Sequence, residues 1–373
     1  MKRGVPQGDD RLPPPPDPMR RTPGEAPERG RGATFNPLNR FRREGREAYD
    51  DGWPAATPDP AGEDGPEPPS PQLRTTVTIQ PARTIIAHNA SPDIPFNQSI
   101  NPYQGCEHGC IYCYARPTHA YHDLSPGLDF ETKLFAKPNA PALLRAELAK
   151  KGYRCDPIAL GTNTDPYQPI EREWKVTRGI IEVLVERDID LIAPMAAKNM
   201  TRVYVSITPL DKALARSLEP RAATPPRRLQ AVRALSDAGV PVGVLAAPVI
   251  PQLNDRDLEA ILEAAAAHGA RYAGWIMLRL PLEVAPLFRD WLDAHYPLRA
   301  EHVMSVLRQL RGGRDYDARF GQRMKGIGPF AELIEKRFAL ACKRLGLNRD
   351  RAPLDTSRFR PPVPDGPRQL DLL

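Results

Sequence analysis

Residues 98–113 read QSINPYQGCEHGCIYC. A short strand-favouring run, Gln98 to Tyr103, leads into a loop with three cysteines, Cys106, Cys110 and Cys113, separated by three and then two residues. The spacing narrows the chemistry. A zinc ribbon brings four protein ligands in two separated pairs. A redox pair needs only two cysteines. A ferredoxin run closes every iron of its cluster. Three thiolates can instead hold a four-iron cluster and leave one iron open to a second molecule. Gly105 and Gly109 let backbone approach sulfur closely and bend around a bulky core, and Pro102 and Pro117 bracket the loop. Loop N–H groups can hydrogen-bond cluster sulfurs and tune their potential. Tyr112 offers a ring beside Cys113. Two other readings stay open. Free cysteines are often small buried hydrophobes, which the polar neighbours Glu107 and His108 disfavour. A zinc site could recruit His108, His119 or His122 as fourth ligand.

Outward from this loop the pattern alternates strand and helix, as in a parallel α/β domain. Helices are predicted over Pro141–Lys151, Glu171–Arg187, Leu191–Met200, Pro225–Ala238, Asn254–His268, Leu282–His295 and Phe330–Leu345. Strands are predicted over Pro157–Thr162, Arg202–Thr208, Pro241–Val249 and Tyr272–Leu280. Thr224 is a candidate N-cap ahead of Pro225, Gly239 a stop, and Asn254 a second N-cap. Active sites in such sheets lie on the loops leaving the C-terminal strand ends. Cys106, Thr162 to Asp165, Ser206 to Thr208, Pro248 to Pro251 and Arg279 all fall there.

The three-cysteine row with an aromatic before the last cysteine resembles the signature of the radical S-adenosylmethionine superfamily. The wider stretch Ser99–Cys106 to Ala120–His122, with GTNTDPYQPIE at 161–171 and VYVSIT at 203–208, is similar to a group related to spore photoproduct lyase. The resemblance runs from about Thr84 to Leu347. It implies a partial (β/α)6 TIM-like barrel. It also implies a [4Fe-4S] cluster on Cys106, Cys110 and Cys113, and S-adenosylmethionine cleaved reductively to a deoxyadenosyl radical. A low-potential donor of flavodoxin or ferredoxin type would supply the electron. The kinship tilts the substrate towards nucleic acid. Proteins of this kind carry a third strand with a basic residue facing the cofactor. Here only Asp188-Ile-Asp190 separates two predicted helices, too few residues for a strand of about five. Either 182–189 (EVLVERDI) re-forms as a strand or the sheet has a gap.

Position suggests further cofactor-binding residues. Thr162, Asn163, Thr164 and Asp165 leave a buried strand and could meet the methionine ammonium and carboxylate; the other reading is a turn bonded to its own backbone. Ser206 could reach the ribose. Arg279 lies in an apolar strand and needs a partner, either a cofactor carboxylate, a substrate phosphate or an internal acid. Glu171 reads as a helix-start residue. Cys155 and Cys342 read as buried hydrophobes. Gly326 and Gly328 before a helix read as a plain turn, with a phosphate seat as the sharper alternative.

The chain has 373 residues, 52 Lys and Arg against 46 Asp and Glu, and a pI near 9.1. This charge is compatible with a nucleic-acid partner but also with arginine-rich ends. Five cysteines, three of them clustered, argue against a disulfide framework. No apolar run suits a membrane span or signal peptide, so a cytoplasmic location is expected. Residues 1–75, rich in Pro and Arg, are expected to be disordered, with one motif-like stretch at Thr34–Asn39. The core domain is placed at 84–310, a helical extension at 311–350 and a flexible tail at 351–373. The terminal Gln369-Leu-Asp-Leu-Leu373 looks like a peptide that binds the bacterial DNA sliding clamp. The rival in another class is a zinc-stabilised nucleic-acid-binding protein without turnover.

Overall fold

The computed structural model describes residues 19, 21, 30–41, 73–184 and 192–362. Its strands form three small sheets of three. In chain order they are β1 (Thr76–Ile79), β2 (Ala87–His88), β3 (Gln98–Ile100), β4 (Tyr103–Gln104), β5 (Lys133–Ala136), β6 (Ile158–Leu160), β7 (Val203–Ser206), β8 (Val242–Val249) and β9 (Tyr272–Met277). β5 lies between β1, which it meets in parallel, and β4, which it meets antiparallel. β3 pairs in parallel with β6 and antiparallel with β2. β7, β8 and β9 are parallel, with β8 central. A central parallel strand is covered on both faces, which is why β8 reads VGVLAAPV without alternation. Its register shifts between Ala246 and Val249, where Pro248 has no N–H to give the ladder.

Three apolar clusters hold these layers. One joins β7 to β9 with the helices Leu258–Ala267 and Pro329–Leu345. A second packs the helices Val284–His295 and Pro297–Gln309 against Ile111 of the cysteine loop and against Ala33 and Phe35. The third lies between β3, β4 and the helices Ala140–Leu148 and Val176–Leu184. Side chains such as Phe288, Leu287 and Ile180 are fully buried, and each contributes about 1.5–3 kcal/mol of transfer free energy.

Several expectations need correction. Glu171–Arg187 is not one helix: Lys175, at φ 49°, breaks it into Glu171–Trp174 and Val176–Leu184. Thr224 has the extended backbone of an N-cap, but its side chain makes no capping bond. Asn254 does not cap its helix; it closes the loop after β8, accepting from the Ile250 N–H at 2.6 Å and donating to the Pro248 carbonyl at 3.0 Å. The helices Lys212–Leu218 and Pro297–Gln309 and the strands β1, β2 and β5 were not anticipated. Asp211 does cap the first of these, accepting from the Leu214 N–H at 2.8 Å.

Two stretches expected to be disordered are packed. Residues 30–41 form a strap across the cysteine loop, with Ala33, Thr34, Phe35 and Asn39 buried. At the other end, the chain after Leu347 runs along the N-terminal ends of the strands. Asn348 bonds both backbone groups of Ala273 at 3.0 Å, Asn199 bonds the Pro353 carbonyl at 2.7 Å, and Phe359 packs on Tyr153 with ring centroids 5.4 Å apart. This tail spans the side where β6 and β7 share no ladder. Residues 182–184 end a helix, so re-formation of 182–189 as a strand fails at its start; residues 185–191 lie outside the described residues. No strand lies between β6 and β7 among the described residues. No described helix is long and apolar enough to cross a membrane.

Candidate metal and cofactor site

The cysteine loop leaves β4 and folds on its own backbone. The Cys106 N–H bonds the Phe130 carbonyl at 3.0 Å, Gly109 N–H bonds Cys106 at 3.4 Å, and Cys113 N–H bonds Cys110 at 3.2 Å. Gly105 and Gly109 sit at φ 75° and 69°, conformations that cost a side chain dearly. Cys106 is buried and packs with Ala115, Phe130 and Cys113 in a small apolar cluster. Burial pushes the Cys110 thiol well above its usual range, and Glu219 and the other two thiols add to this. Burial likewise raises Cys113 to about 11, with Cys106 contributing. The three sulfurs therefore feel one another's charge in a dry setting, and loading a metal there releases protons.

This donor set fits a cluster. The three cysteines share one loop, Cys106 and Cys113 lie in a small apolar cluster with Ala115 and Phe130, and soft thiolates are the ligand type that selects iron–sulfur centres. Among the described residues no group of three His, Cys, Asp or Glu side chains converges on a single ion.

The loop is braced from several sides. Arg116, fully buried, pairs with the equally buried Glu131 at 2.5 Å and also donates to the carbonyls of Cys110, Pro126 and Gly127 at 3.0–3.1 Å. Glu107 pairs with Arg221 at 2.6 Å and accepts from Thr75 at 2.7 Å, while its N–H reaches Gln168 at 3.0 Å. The Ile111 N–H bonds the Leu218 carbonyl at 3.1 Å. Tyr112 is expected to offer its ring to a cluster. Its hydroxyl instead donates to Glu219, which Arg228 also holds, and its ring packs on the second apolar cluster.

Loops from other strands meet here. Asn101, which follows β3 and was not singled out from sequence, donates to the Thr162 hydroxyl at 3.2 Å and accepts from the Asn163 N–H at 2.8 Å. Thr164 donates to the Tyr103 carbonyl at 3.2 Å. Asp165 accepts from the Tyr167 N–H at 2.8 Å and lies 3.4 Å from His108. So Thr162, Thr164 and Asp165 are engaged within the protein, Asp165 in a local turn and the two threonines with the segment 101–103. Ser206 is exposed at the end of β7, where its carbonyl accepts from Arg228 at 3.0 Å. Arg279 is half-buried just past β9. It touches only Met324 sulfur at 3.7 Å and the Tyr316 hydroxyl at 3.4 Å, lies 5.0 Å over the Tyr114 ring, and has a buried Nε without a partner. The Tyr114 hydroxyl donates to the Thr162 carbonyl. Tyr114 was missed because a tyrosine after a cysteine motif carries no distinguishing pattern.

Residues 100–265 match the radical SAM superfamily. An uncharacterised protein of Mycobacterium tuberculosis is 38% identical over 221 residues, 55% of this chain and 65% of its own length. One from Methanocaldococcus jannaschii is 26% identical over 213 residues, 53% and 76% of the two chains. One from Acidianus two-tailed virus is 26% identical over 217 residues, 51% and 71%. The chain thus spans about two thirds of the length of its mycobacterial relative.

Within the matched residues the histidines have separate tasks. His108 lies between Asp165 and Cys106. Burial opposes its charge, but those two neighbours outweigh it and raise its pKa to about 10. His119 is fully buried, bonds the Lys133 carbonyl at 2.8 Å and stands edge-on to Phe130. His122 stacks on Phe135, centroids 4.3 Å apart. Glu171 starts its own short helix, and its carboxylate accepts from the Thr177 and Arg178 N–H groups at 3.0 and 2.9 Å, which caps the next helix. Cys342 is buried and Cys155 half-buried. Gly326 and Gly328, at φ 84° and 86°, form a turn; Lys325 beside it pairs with Glu335 and Arg323 with Asp93.

Proposed function

We propose that this chain is a radical S-adenosylmethionine enzyme in which Cys106, Cys110 and Cys113 hold a [4Fe-4S] cluster. The observation that carries the reading is the set of three cysteines on one loop within the matched residues, Cys106 buried and Cys110 and Cys113 half-buried, with Cys106 and Cys113 in one apolar cluster. A [4Fe-4S] cluster held by Cys106, Cys110 and Cys113 would supply the one electron needed for reductive cleavage of S-adenosylmethionine to methionine and a deoxyadenosyl radical. The protein's own residues supply position and dryness. Phe130 and Ala115 exclude water from the sulfurs. Tyr112, anchored through Glu219 to Arg228, fixes the last turn of the loop. Asn101 shapes the Thr162–Asp165 turn and leaves the Asn163 carboxamide for the methionine end of the cofactor. The Ser206 hydroxyl faces the ribose. Arg279, which has no ion-pair partner among the described residues, takes a carboxylate.

On this reading β3 with β6 and β7 to β9 are two arcs of a partial (β/α)6 barrel, with the tail after Leu347 bridging the open side. A flavodoxin- or ferredoxin-type donor supplies the electron. The substrate is nucleic acid, a lyase- or repair-like reaction in keeping with a basic chain, and the protein works in the cytoplasm. Gln369–Leu373, which lie outside the described residues, tether it to the sliding clamp. The test is anaerobic reconstitution with iron and sulfide, reduction, and assay of deoxyadenosine from S-adenosylmethionine. Cleavage that vanishes in Cys106→Ala supports the proposal; a colourless, air-stable zinc protein without cleavage sinks it.

A further inference from the structure

The strap at residues 30–41 lies well outside the matched domain, yet it is bonded to Glu131 and its Gly32 packs directly on Gly109 of the cysteine loop. The carboxylate of Glu131 is fully buried and divided between two elements. One oxygen accepts from the Ala33 N–H at 2.8 Å and from Arg116, and the other accepts from the Gly32 N–H at 3.0 Å. Arg116 in turn holds the carbonyl of Cys110 at 3.0 Å. A single buried ion pair thus joins the strap to the backbone of a candidate ligand. The fit is close: a Cβ added at Gly32 would stand 1.6 Å from the Gly109 carbonyl oxygen, inside the loop. The strap is fastened beyond this point as well. Arg31 bonds the Glu131 carbonyl at 3.1 Å, Thr34 bonds Asp290 at 2.5 Å, and Asn39 and Arg40 bond the Ala120 and Pro117 carbonyls at 2.9 Å. Arg40 also pairs with the buried Glu283 at 3.0 Å. Ala33 and Phe35 share the apolar cluster of Ile111.

We infer that the strap is part of the metal site: Glu131 is a positioning residue that, through Arg116 and the Gly32 and Ala33 N–H groups, holds the Cys106–Cys113 loop in ligating shape and shields it from solvent. A buried carboxylate bound on both sides has two consequences. It orients the loop backbone, as the partners behind metal ligands do. It also ties cluster retention to a segment some 70 residues earlier in the chain, so neither the loop nor the matched domain suffices alone. The inference rests on the proposed cluster, and its test has an arm that does not.

The test compares the full-length chain with Gly32→Ala, which lifts the strap without removing a charge, and Glu131→Gln, which removes one. After anaerobic reconstitution, iron loss to a chelator is followed at the cluster absorbance, and the reduced cluster is recorded by electron paramagnetic resonance. In the metal-free protein, iodoacetamide labelling of each cysteine is followed by mass spectrometry, with Cys342 as internal control and circular dichroism as the check on folding. Both variants are expected to lose iron about 10- to 100-fold faster with altered g values. Both are also expected to label Cys110 and Cys113 faster at unchanged Cys342 labelling. Unchanged iron loss and labelling in a folded Gly32→Ala protein overturns the inference. A wild-type chain that takes up no cluster sinks the enzyme reading instead, and the labelling arm still decides whether the strap guards the thiols.

Discussion

The guanidinium of Arg279 lies over the ring of Tyr114, 5.0 Å from its centroid, and the Tyr114 hydroxyl donates to the Thr162 carbonyl. These two residues link the end of β9, the position after Cys113 and the end of β6. They set Arg279, which makes no ion pair among the described residues, beside the candidate cluster loop. Stacking on an aromatic face contributes about 0.5–1 kcal/mol where it is partly exposed, too little to compensate a half-buried charge, so the site favours an anion.

Arg279→Gln is therefore expected to weaken S-adenosylmethionine binding. A charge-assisted hydrogen bond is worth about 1.5–3 kcal/mol, or roughly 10- to 100-fold in affinity. Calorimetric titration of the reconstituted protein checks this. Affinity equal to wild type would remove Arg279 from the cofactor site and leave the substrate side as its place.

Each of Cys106→Ala, Cys110→Ala and Cys113→Ala is expected to abolish the brown colour and the bound iron after reconstitution. Cys155→Ala and Cys342→Ala should retain both, because Cys155 is remote in sequence and Cys342 lies in the apolar cluster under β7 to β9. Iron and sulfide analysis separates the two groups; iron retained without any one loop cysteine would count against a three-thiolate site.

His119 gives a pH dependence with a defined sign. Burial pulls its pKa down from 6.5 to about 4, against the pull of the Lys133 carbonyl. The native state keeps the ring neutral, with Nε2–H donating to that carbonyl, while the unfolded chain takes up a proton near 6.5. Stability from this group is complete above about pH 6.5 and declines as pH falls towards 4, by about 3 kcal/mol at 1.36 kcal/mol per unit. Urea unfolding at pH 7 and 5 should show a smaller decline in His119→Leu than in wild type. Equal slopes would mean that His119 is not buried as described.

The tail beyond Leu347 is expected to be a working part of the fold as far as Pro362. Asn348→Ala removes two hydrogen bonds to Ala273 at a left-handed position, φ 62°, and should cost about 1–3 kcal/mol. Removal of 363–373 should leave the melting temperature unchanged while abolishing any affinity for the sliding clamp. Thermal melts and a clamp-binding assay read the two effects separately.

Much of the fold was legible because local chemistry announces it. Pro225 opens a helix and Gly239, at φ 76°, closes it; Val242–Val249 reads as a buried strand because it is one. The cysteine row announced itself for the same reason: three thiols within eight residues need no tertiary information to be found together. The break at Lys175 was hidden, because a helical pattern on both sides masks one residue in the left-handed region. The helix Pro297–Gln309 was hidden by its polar composition.

Sequence by itself determined the cysteine loop and the alternation of strand and helix, since spacing and periodicity are properties of neighbours along the chain. Tertiary structure alone decided that residues 30–41, Pro-bearing and without apolar periodicity, are ordered, and that Glu131, Arg116 and Gly32 form one unit with Gly109. It alone decided that Tyr114 rather than Tyr112 faces Arg279. The physical reason is shared: these segments lack a pattern that would order them alone. They are fixed by buried hydrogen bonds and close backbone contact with residues about 70 to 250 positions away, where an unpaired carboxylate or guanidinium would cost several kcal/mol.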